Sequence, residues 1–253
     1  MNRENILGYP VAVANAALLV ADIDVHLQRD EPACWLACLN PHSYACALDD
    51  PLFADALHEA DWLIPDGVGV VMASRWLGGG ITQRITGNDI FEGLNEKMQA
   101  RGGCSVFFLG STEECLSDIR ERFSKDYPAV HLAGTWSPPF KSEWSNEDID
   151  EMCQVINLAK PDVLWVGMTA PKQEKWIYAN LPHLNIKFAA AIGAVFDFYT
   201  GRVKRSSPIF RKLGLEWLPR LINQPRRLWR RMFISAPIFV WDVIRTKWLI
   251  ENK

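Results

Sequence analysis

The sequence holds no CxxC pair and no HExxH motif, and its five histidines (His26, His42, His58, His131, His183) do not pair at ligand spacing. Its side chains therefore give little support to a bound metal. No GxGxxG follows the first strand-like run, no GxxxxGK(S/T) occurs and no GxSxG is present. These gaps remove the dinucleotide fingerprint, the P-loop and the nucleophile elbow of α/β-hydrolases. No uninterrupted run reaches the ~20 apolar residues of a membrane-spanning helix, and the first ten residues, MNRENILGYP, carry no apolar core of signal-peptide type. Repeats and low-complexity linkers are also missing.

What is present is a chain of 253 residues, 49% apolar and 23% charged, which suits one large domain or a domain with an appendage. Six cysteines, several inside apolar runs, read as buried free thiols of a reducing compartment. Eleven tryptophans favour either burial or wet apolar boundaries, membrane interfaces included. The net charge of −3 hides an asymmetry: residues 201–253 hold thirteen Lys/Arg against three Asp/Glu. Such a tail is expected to meet something anionic. The shift near Gly201 is the one candidate boundary, dividing a core of residues 1–200 from a basic, Trp-rich appendage of residues 201–253.

Along the chain, Ala12–Val20 is expected as an edge strand or hairpin, and CWLACLNP (Cys34–Pro41) as a strand ending in a polar turn. His42–Ala60 has helical spacing. WLIPDG (Trp62–Gly67) is a short strand, Val68–Leu77 a helix, and Asp89–Ala100 another after a triple-glycine loop. From Ser105 the rhythm is regular. Strands at SVFFLGS, VHLAGTW, DVLWVGM and KFAAAIG alternate with helices opened by Thr112, by Ser145 with Asp148 as a capping box, and by Pro171. Strands apolar throughout, separated by helices, predict an α/β fold: a mostly parallel sheet with helices on both faces.

In open α/β sheets ligands bind beyond the carboxyl ends of the strands. Those ends deliver Asn40, Asp66, Gly110-Ser111, Gly134-Thr135, Gly167 and Gly193, with Asp197 shortly after. Four strands end in Gly, which permits sharp turns and close backbone approach to a ligand, though Gly is also the usual βα-turn residue. In GMTAPKQEKW (Gly167–Trp176), Gly167 turns the strand and Pro171 suits a first helical turn. The helix N-terminus and Lys172 suit an anion, Gln173 offers a donor and an acceptor, and Glu174 accepts from hydroxyls. The same residues also make a well-capped, exposed helix start, and both readings stand. Asp22-Ile23-Asp24 spells the DxD of metal-using glycosyltransferases but lies ahead of the main sheet, where it reads as a surface turn.

Seven ordered blocks carry a resemblance: Asn40-Pro41, LIPDGVGVV, RITGNDIF, VFFLGS, VGMTAPKQEKW, AIGAVFDFYTGRVKRSSP and GLEWLPRL. Together, from about Asn40 to Arg231, they resemble the WecG/TagA/CpsF family of bacterial glycosyltransferases. The resemblance implies a Rossmann-like core and a basic, helical C-terminal appendage that helps close the site. It implies an inverting transfer from a UDP-sugar to a polyprenyl-diphosphate-linked saccharide, without metal or other cofactor. The setting would be the inner face of the cell membrane, where the chain would act as a peripheral cytoplasmic enzyme of cell-surface polysaccharide synthesis. Self-association among relatives implies a homo-oligomer.

By position, the family's proposed base falls on Asp66, its Arg on Arg84, its Gln on Gln173 between Lys172 and Glu174, and its first strand-end Asn on Asn40. Asp89 lies in the RITGNDIF block, and Gly110, Gly167, Gly193 and Asp197 in the other strand-end blocks. Many members have Thr two residues before the Asn, where this chain has Cys38. A base and a cationic environment for the leaving diphosphate are what such a transfer needs. Asp66 fits the first, with helix capping as its alternative, and Asp197 is the runner-up. Lys172, Arg84 and the tail arginines Arg205, Arg220 and Arg227 fit the second. The tail's Arg and Trp on a broken apolar run suit an anionic leaflet, or else an ordinary helix packed on the core. No recognition motif accompanies the charge, so nucleic acid is not expected as a partner. The competing readings are a nucleotide-dependent oxidoreductase, which the missing glycine fingerprint opposes, and an inactive membrane-associated binding module.

Overall fold

The computed structural model describes residues 1–203 and 229–252. In chain order the elements are β1 (Arg3–Ile6), β2 (Tyr9–Ala12), α1 (Ala16–Leu27), β3 (Cys34–Leu39), α2 (Pro41–Ala47), α3 (Pro51–His58), β4 (Trp62–Pro65) and α4 (Val68–Leu77). They continue with α5 (Gly87–Arg101), β5 (Cys104–Gly110), α6 (Glu113–Asp126), β6 (Val130–Trp136), α7 (Asn146–Ala159), β7 (Val163–Gly167), α8 (Lys172–Asn180), β8 (Phe188–Ala191) and α9 (Val195–Tyr199). After the undescribed stretch, a π-helical turn (Arg231–Ser235) runs into α10 (Ala236–Glu251). The fold is α/β, with a six-stranded sheet in the order β4-β3-β8-β7-β5-β6 flanked by helices. The pairs β3/β8, β8/β7, β7/β5 and β5/β6 are parallel. The residues form two compact units.

One unit comprises Ala16–Ala37 and Gly87–Val203. Its central strands are buried on both faces: every residue of β7 (VLWVG) is inaccessible, as is all of β5 except Ser105. That burial is why they read as continuous apolar runs rather than alternating ones. Aromatic side chains fill the space above the sheet. Phe91 of α5 stands edge-on to Trp165 at 5.1 Å, and Phe108 does so to Phe123 and Phe196, each at 5.3 Å. The predicted caps are in place: Thr112 accepts from Cys115 N–H, and Ser145 and Asp148 form a reciprocal capping box.

The other unit comprises Met1–Asn15, Cys38–Thr86 and the C-terminal segment, described from residue 229. The β1–β2 hairpin turns at Leu7-Gly8, both with positive φ (52° and 99°), and Asn5 Oδ1 accepts from Gly8 N–H at 2.7 Å. Paired left-handed residues are the two-residue turn whose twist matches a hairpin. Helix α10 packs on α2 and α4. Phe239 and Val243 are its buried residues, with the Phe239 ring 5.4 Å from that of Tyr44. The Tyr44 hydroxyl donates to Asp242 at 2.8 Å, and His42 Nδ1 lies 2.9 Å from Ser235 Oγ.

Four expectations need correction. The run at residues 12–20 is not one edge strand or hairpin: Ala12 closes β2 and Ala16 opens α1, whose Leu19, Val20, Ile23 and Leu27 are buried at helical spacing. The Asp22-Ile23-Asp24 triplet consequently lies within a helix, not a surface turn, and Asp24 pairs with Arg101 at 3.3 Å. The span 42–60 is two helices, because Asp50 caps α3 through Phe53 N–H with Pro51 at its first position. All six cysteines are free, but only Cys104 and Cys115 are buried; Cys34, Cys38, Cys46 and Cys153 are half-buried, against the expectation of buried thiols.

Candidate active site

In the unit containing β4, backbone hydrogen bonds gather three of the expected residues. Asp66 N–H donates to Leu39 O at 2.8 Å, which sets Asp66 beside Asn40. Ile85 N–H donates to Pro65 O at 3.0 Å, which brings the neighbouring Arg84 to the same strand end. Gly67 has φ 136°, a conformation closed to side chains with a Cβ, so the chain leaves Asp66 on a path only Gly allows. Gly67, not Asp66, is the N-cap of α4. The Asp66 side chain is half-buried. Asn40 does cap: its Oδ1 accepts from His42 and Ser43 N–H, both at 3.0 Å, and Ser43 Oγ accepts from Asn40 N–H at 2.8 Å.

The other unit carries the second set, at the ends of β5, β7 and β8. Gly110 has φ 111°, and a Cβ there would lie 2.7 Å from Gly167 O, so β5 and β7 end in close backbone contact. A Cβ on Gly167 would enter the Phe196 ring. Gln173 and Glu174, at the start of α8, are 4% and 2% exposed. Gln173 Oε1 accepts from Met168 N–H and from Gly193 N–H, both at 3.1 Å, and its Nε2 donates to Glu174 Oε1 at 2.9 Å. Burial lifts the Glu174 carboxyl to about 7, against the lowering effect of the Gln173 hydrogen bond. Their polar atoms thus turn to the protein's own backbone and to each other.

Lys172 sits 4.4 Å above the Trp144 ring and donates to Lys141 O, so the segment between β6 and α7 rests on it. Asp89 lies in the first turn of α5 and Asp197 in that of α9, each half-buried. Arg205, Arg220 and Arg227 lie outside the described residues. Among the described residues, no group of three or more His, Cys, Asp and Glu is placed to hold a metal ion.

Residues that the sequence reading passed over support both sets. Met168 contributes a backbone N–H, and Trp144 a ring face. His42 and Tyr44 anchor the terminal helix to α2, the helix that Asn40 caps; burial, then Arg231 and Arg230, push His42 down to about 4.

A mostly parallel sheet flanked by helices is the α/β layout in which ligands bind beyond the carboxyl ends of the strands. The chain matches the glycosyl transferase WecG/TagA/CpsF family over residues 4–253 and belongs to that family; it is a glycosyltransferase. Several of its relatives bear the name N-acetylglucosaminyldiphosphoundecaprenol N-acetyl-beta-D-mannosaminyltransferase. That of Bacillus subtilis is 30% identical over 249 residues, covering 97% of this chain and 92% of the relative. That of Bacillus spizizenii is 32% identical over 211 residues, 83% of this chain and 79% of the relative. A Staphylococcus aureus protein of the same name is 28% identical over 218 residues, 86% and 82% of the two chains.

Proposed function

We propose that the protein moves a sugar from a UDP-sugar to a polyprenyl-diphosphate-linked saccharide, with inversion and without a metal, in the synthesis of a cell-surface polysaccharide. The observation that carries this reading is the likeness to the Bacillus subtilis enzyme across 97% of the chain. That enzyme's name makes N-acetylmannosamine the first donor sugar to test and an N-acetylglucosaminyl-diphosphate lipid the first acceptor.

In the proposed step the acceptor hydroxyl oxygen attacks the anomeric carbon while the bond from that carbon to UDP breaks. Asp66 takes the hydroxyl proton, and UDP departs with the bonding electron pair. Asp66 is supported by its pinned backbone at the strand end and by the family resemblance. Arg84, fixed through Ile85, is proposed to meet the diphosphate, with Arg205, Arg220 and Arg227 of the tail. Asn40 is assigned to the acceptor side. Asp89, Gly110, Gly167, Lys172, Gln173, Glu174, Gly193 and Asp197 are assigned to the donor side, where Lys172 supplies a cation for the diphosphate.

We propose the division into a core of residues 1–200 and an appendage of residues 201–253 that closes the site and touches the inner face of the membrane. Among the described residues no helix is long and apolar enough to cross a membrane. The proposed contact uses the outward side of α10 and the turn before it. Trp229, Phe233, Trp241 and Trp248 are each more than half exposed there, alongside Arg230 and Arg245. Aromatic rings beside cations suit a headgroup layer. A homo-oligomer remains part of the proposal on the resemblance alone.

The test is a thermal-shift panel. UDP is expected to raise the melting temperature, because a ligand selective for the folded state stabilises by mass action. Stabilisation by NAD and not by UDP would overturn the reading in favour of an oxidoreductase.

A further inference from the structure

Two loops of the strand-end region are tied by one side chain. Met168 follows β7 and Gly193 follows β8, yet their N–H groups converge on the single carbonyl of Gln173, each at 3.1 Å. A carboxamide has two faces, and only one rotamer presents oxygen to both donors; flipped, it would offer NH₂ to two N–H groups. Glu174 Oε1, which accepts from Gln173 Nε2 at 2.9 Å, holds the carboxamide in that orientation from its other end. Glu174 is 2% exposed, and its second oxygen has no hydrogen-bond partner. A buried acid with an orphaned oxygen is unfavourable for folding alone, and what it does in the structure is accept from Gln173.

We infer that Glu174 is a positioning residue: by fixing the carboxamide of Gln173 it latches the turns after β7 and β8 into one donor-binding wall. The wall's role rests on the proposed donor reading; the latch itself does not. Gln173 then acts on the ligand through two backbone turns rather than by reaching it, and Glu174 acts through Gln173.

The test compares Glu174→Gln, which keeps an acceptor, with Glu174→Leu, which keeps the volume and removes it. Amide hydrogen exchange of Met168 and Gly193 reads the latch, and titration with UDP reads the site. Glu174→Leu is expected to speed exchange of both amides together at least tenfold and to weaken UDP binding at least tenfold, with the melting temperature unchanged or raised. Glu174→Gln should keep the exchange of both amides within threefold of the parent. Wild-type protection of the two amides in Glu174→Leu, or equal damage in Glu174→Gln, would overturn the inference. Should Glu174→Leu fail to fold, Gln173→Glu and the exchanged pair Gln173→Glu/Glu174→Gln replace it. The single change sets two acids face to face, and the exchange restores an amide against a carboxyl. Slow exchange recovered in the pair upholds the latch, and no recovery sinks it. A parent protein with slow amides that fails to bind UDP would leave the latch standing and remove the donor reading instead.

Discussion

Asp66 owes its place to atoms other than its own carboxylate. Its N–H is held by Leu39 O and Ile64 O, at 2.8 and 3.0 Å, and the turn behind it requires Gly67. A replacement side chain should therefore keep the backbone path, so Asp66→Asn isolates the chemistry. An amide cannot take a proton, and loss of a general base costs about 10²–10⁴-fold in rate. Turnover is expected to fall by about that factor with UDP affinity within threefold; unchanged turnover would remove Asp66 from the role. At Glu174 the expected signature is a pH slope. Its carboxyl lies near 7 in the folded protein and near 4.5 when exposed, so the folded state binds more protons between those values. Stability from this group is present below about pH 4.5 and is lost as pH rises through about 7. The sum is on the order of 3 kcal/mol. Glu174→Gln should flatten that slope in denaturant titrations, and a parallel loss in both proteins would contradict it.

At the scale of elements, the strand ends are close-packed enough that one methyl group matters. Gly167→Ala would drive a Cβ into the Phe196 ring, and overpacking of this kind costs about 1–3 kcal/mol. Chemical denaturation should show that loss along with weaker UDP binding; a neutral result would mean α9 shifts freely. Phe239 is 2% exposed and plugs α10 onto Tyr44 and the glycine face of α4. Phe239→Ala is expected to cost about 3–5 kcal/mol and to open the C-terminal helix to proteolysis before the rest of the chain. The alternation from Ser105 to Gly193 was legible because β5, β7 and β8 are almost wholly apolar and two of the helices carry side-chain caps, at Thr112 and Ser145. Helix α1 was not, since AALLVADIDVHL has too few polar positions for its period to show. The break between α2 and α3 was written in Asp50-Pro51 yet overridden by an apolar spacing that runs through it. In the candidate site, Asp66 and Asn40 were readable as strand-end residues, and Arg84 only through the resemblance. The burial of Gln173 and Glu174 was not, because polar residues at a helix start read as exposed and one partner, Gly193, lies 20 positions away.

For the whole molecule, the uneven charge of the chain and the outward aromatic side of α10 belong together. Lipid headgroups of negative charge attract basic segments by about 1 kcal/mol per Lys or Arg, and salt screens that attraction. The full chain is expected to float with anionic liposomes at low salt and to be released at high salt, whereas a chain ending near Gly201 should stay behind. Equal binding by the two would sink the membrane contact. The transfer reaction remains the centre of the account, and its most direct measurement is UDP release from a panel of UDP-sugars mixed with an N-acetylglucosaminyl-diphosphate lipid. The account predicts lipid-dependent release from at least one UDP-sugar, N-acetylmannosamine first, which disappears in Asp66→Asn. Release that ignores the lipid, or that persists undiminished in Asp66→Asn, would contradict it.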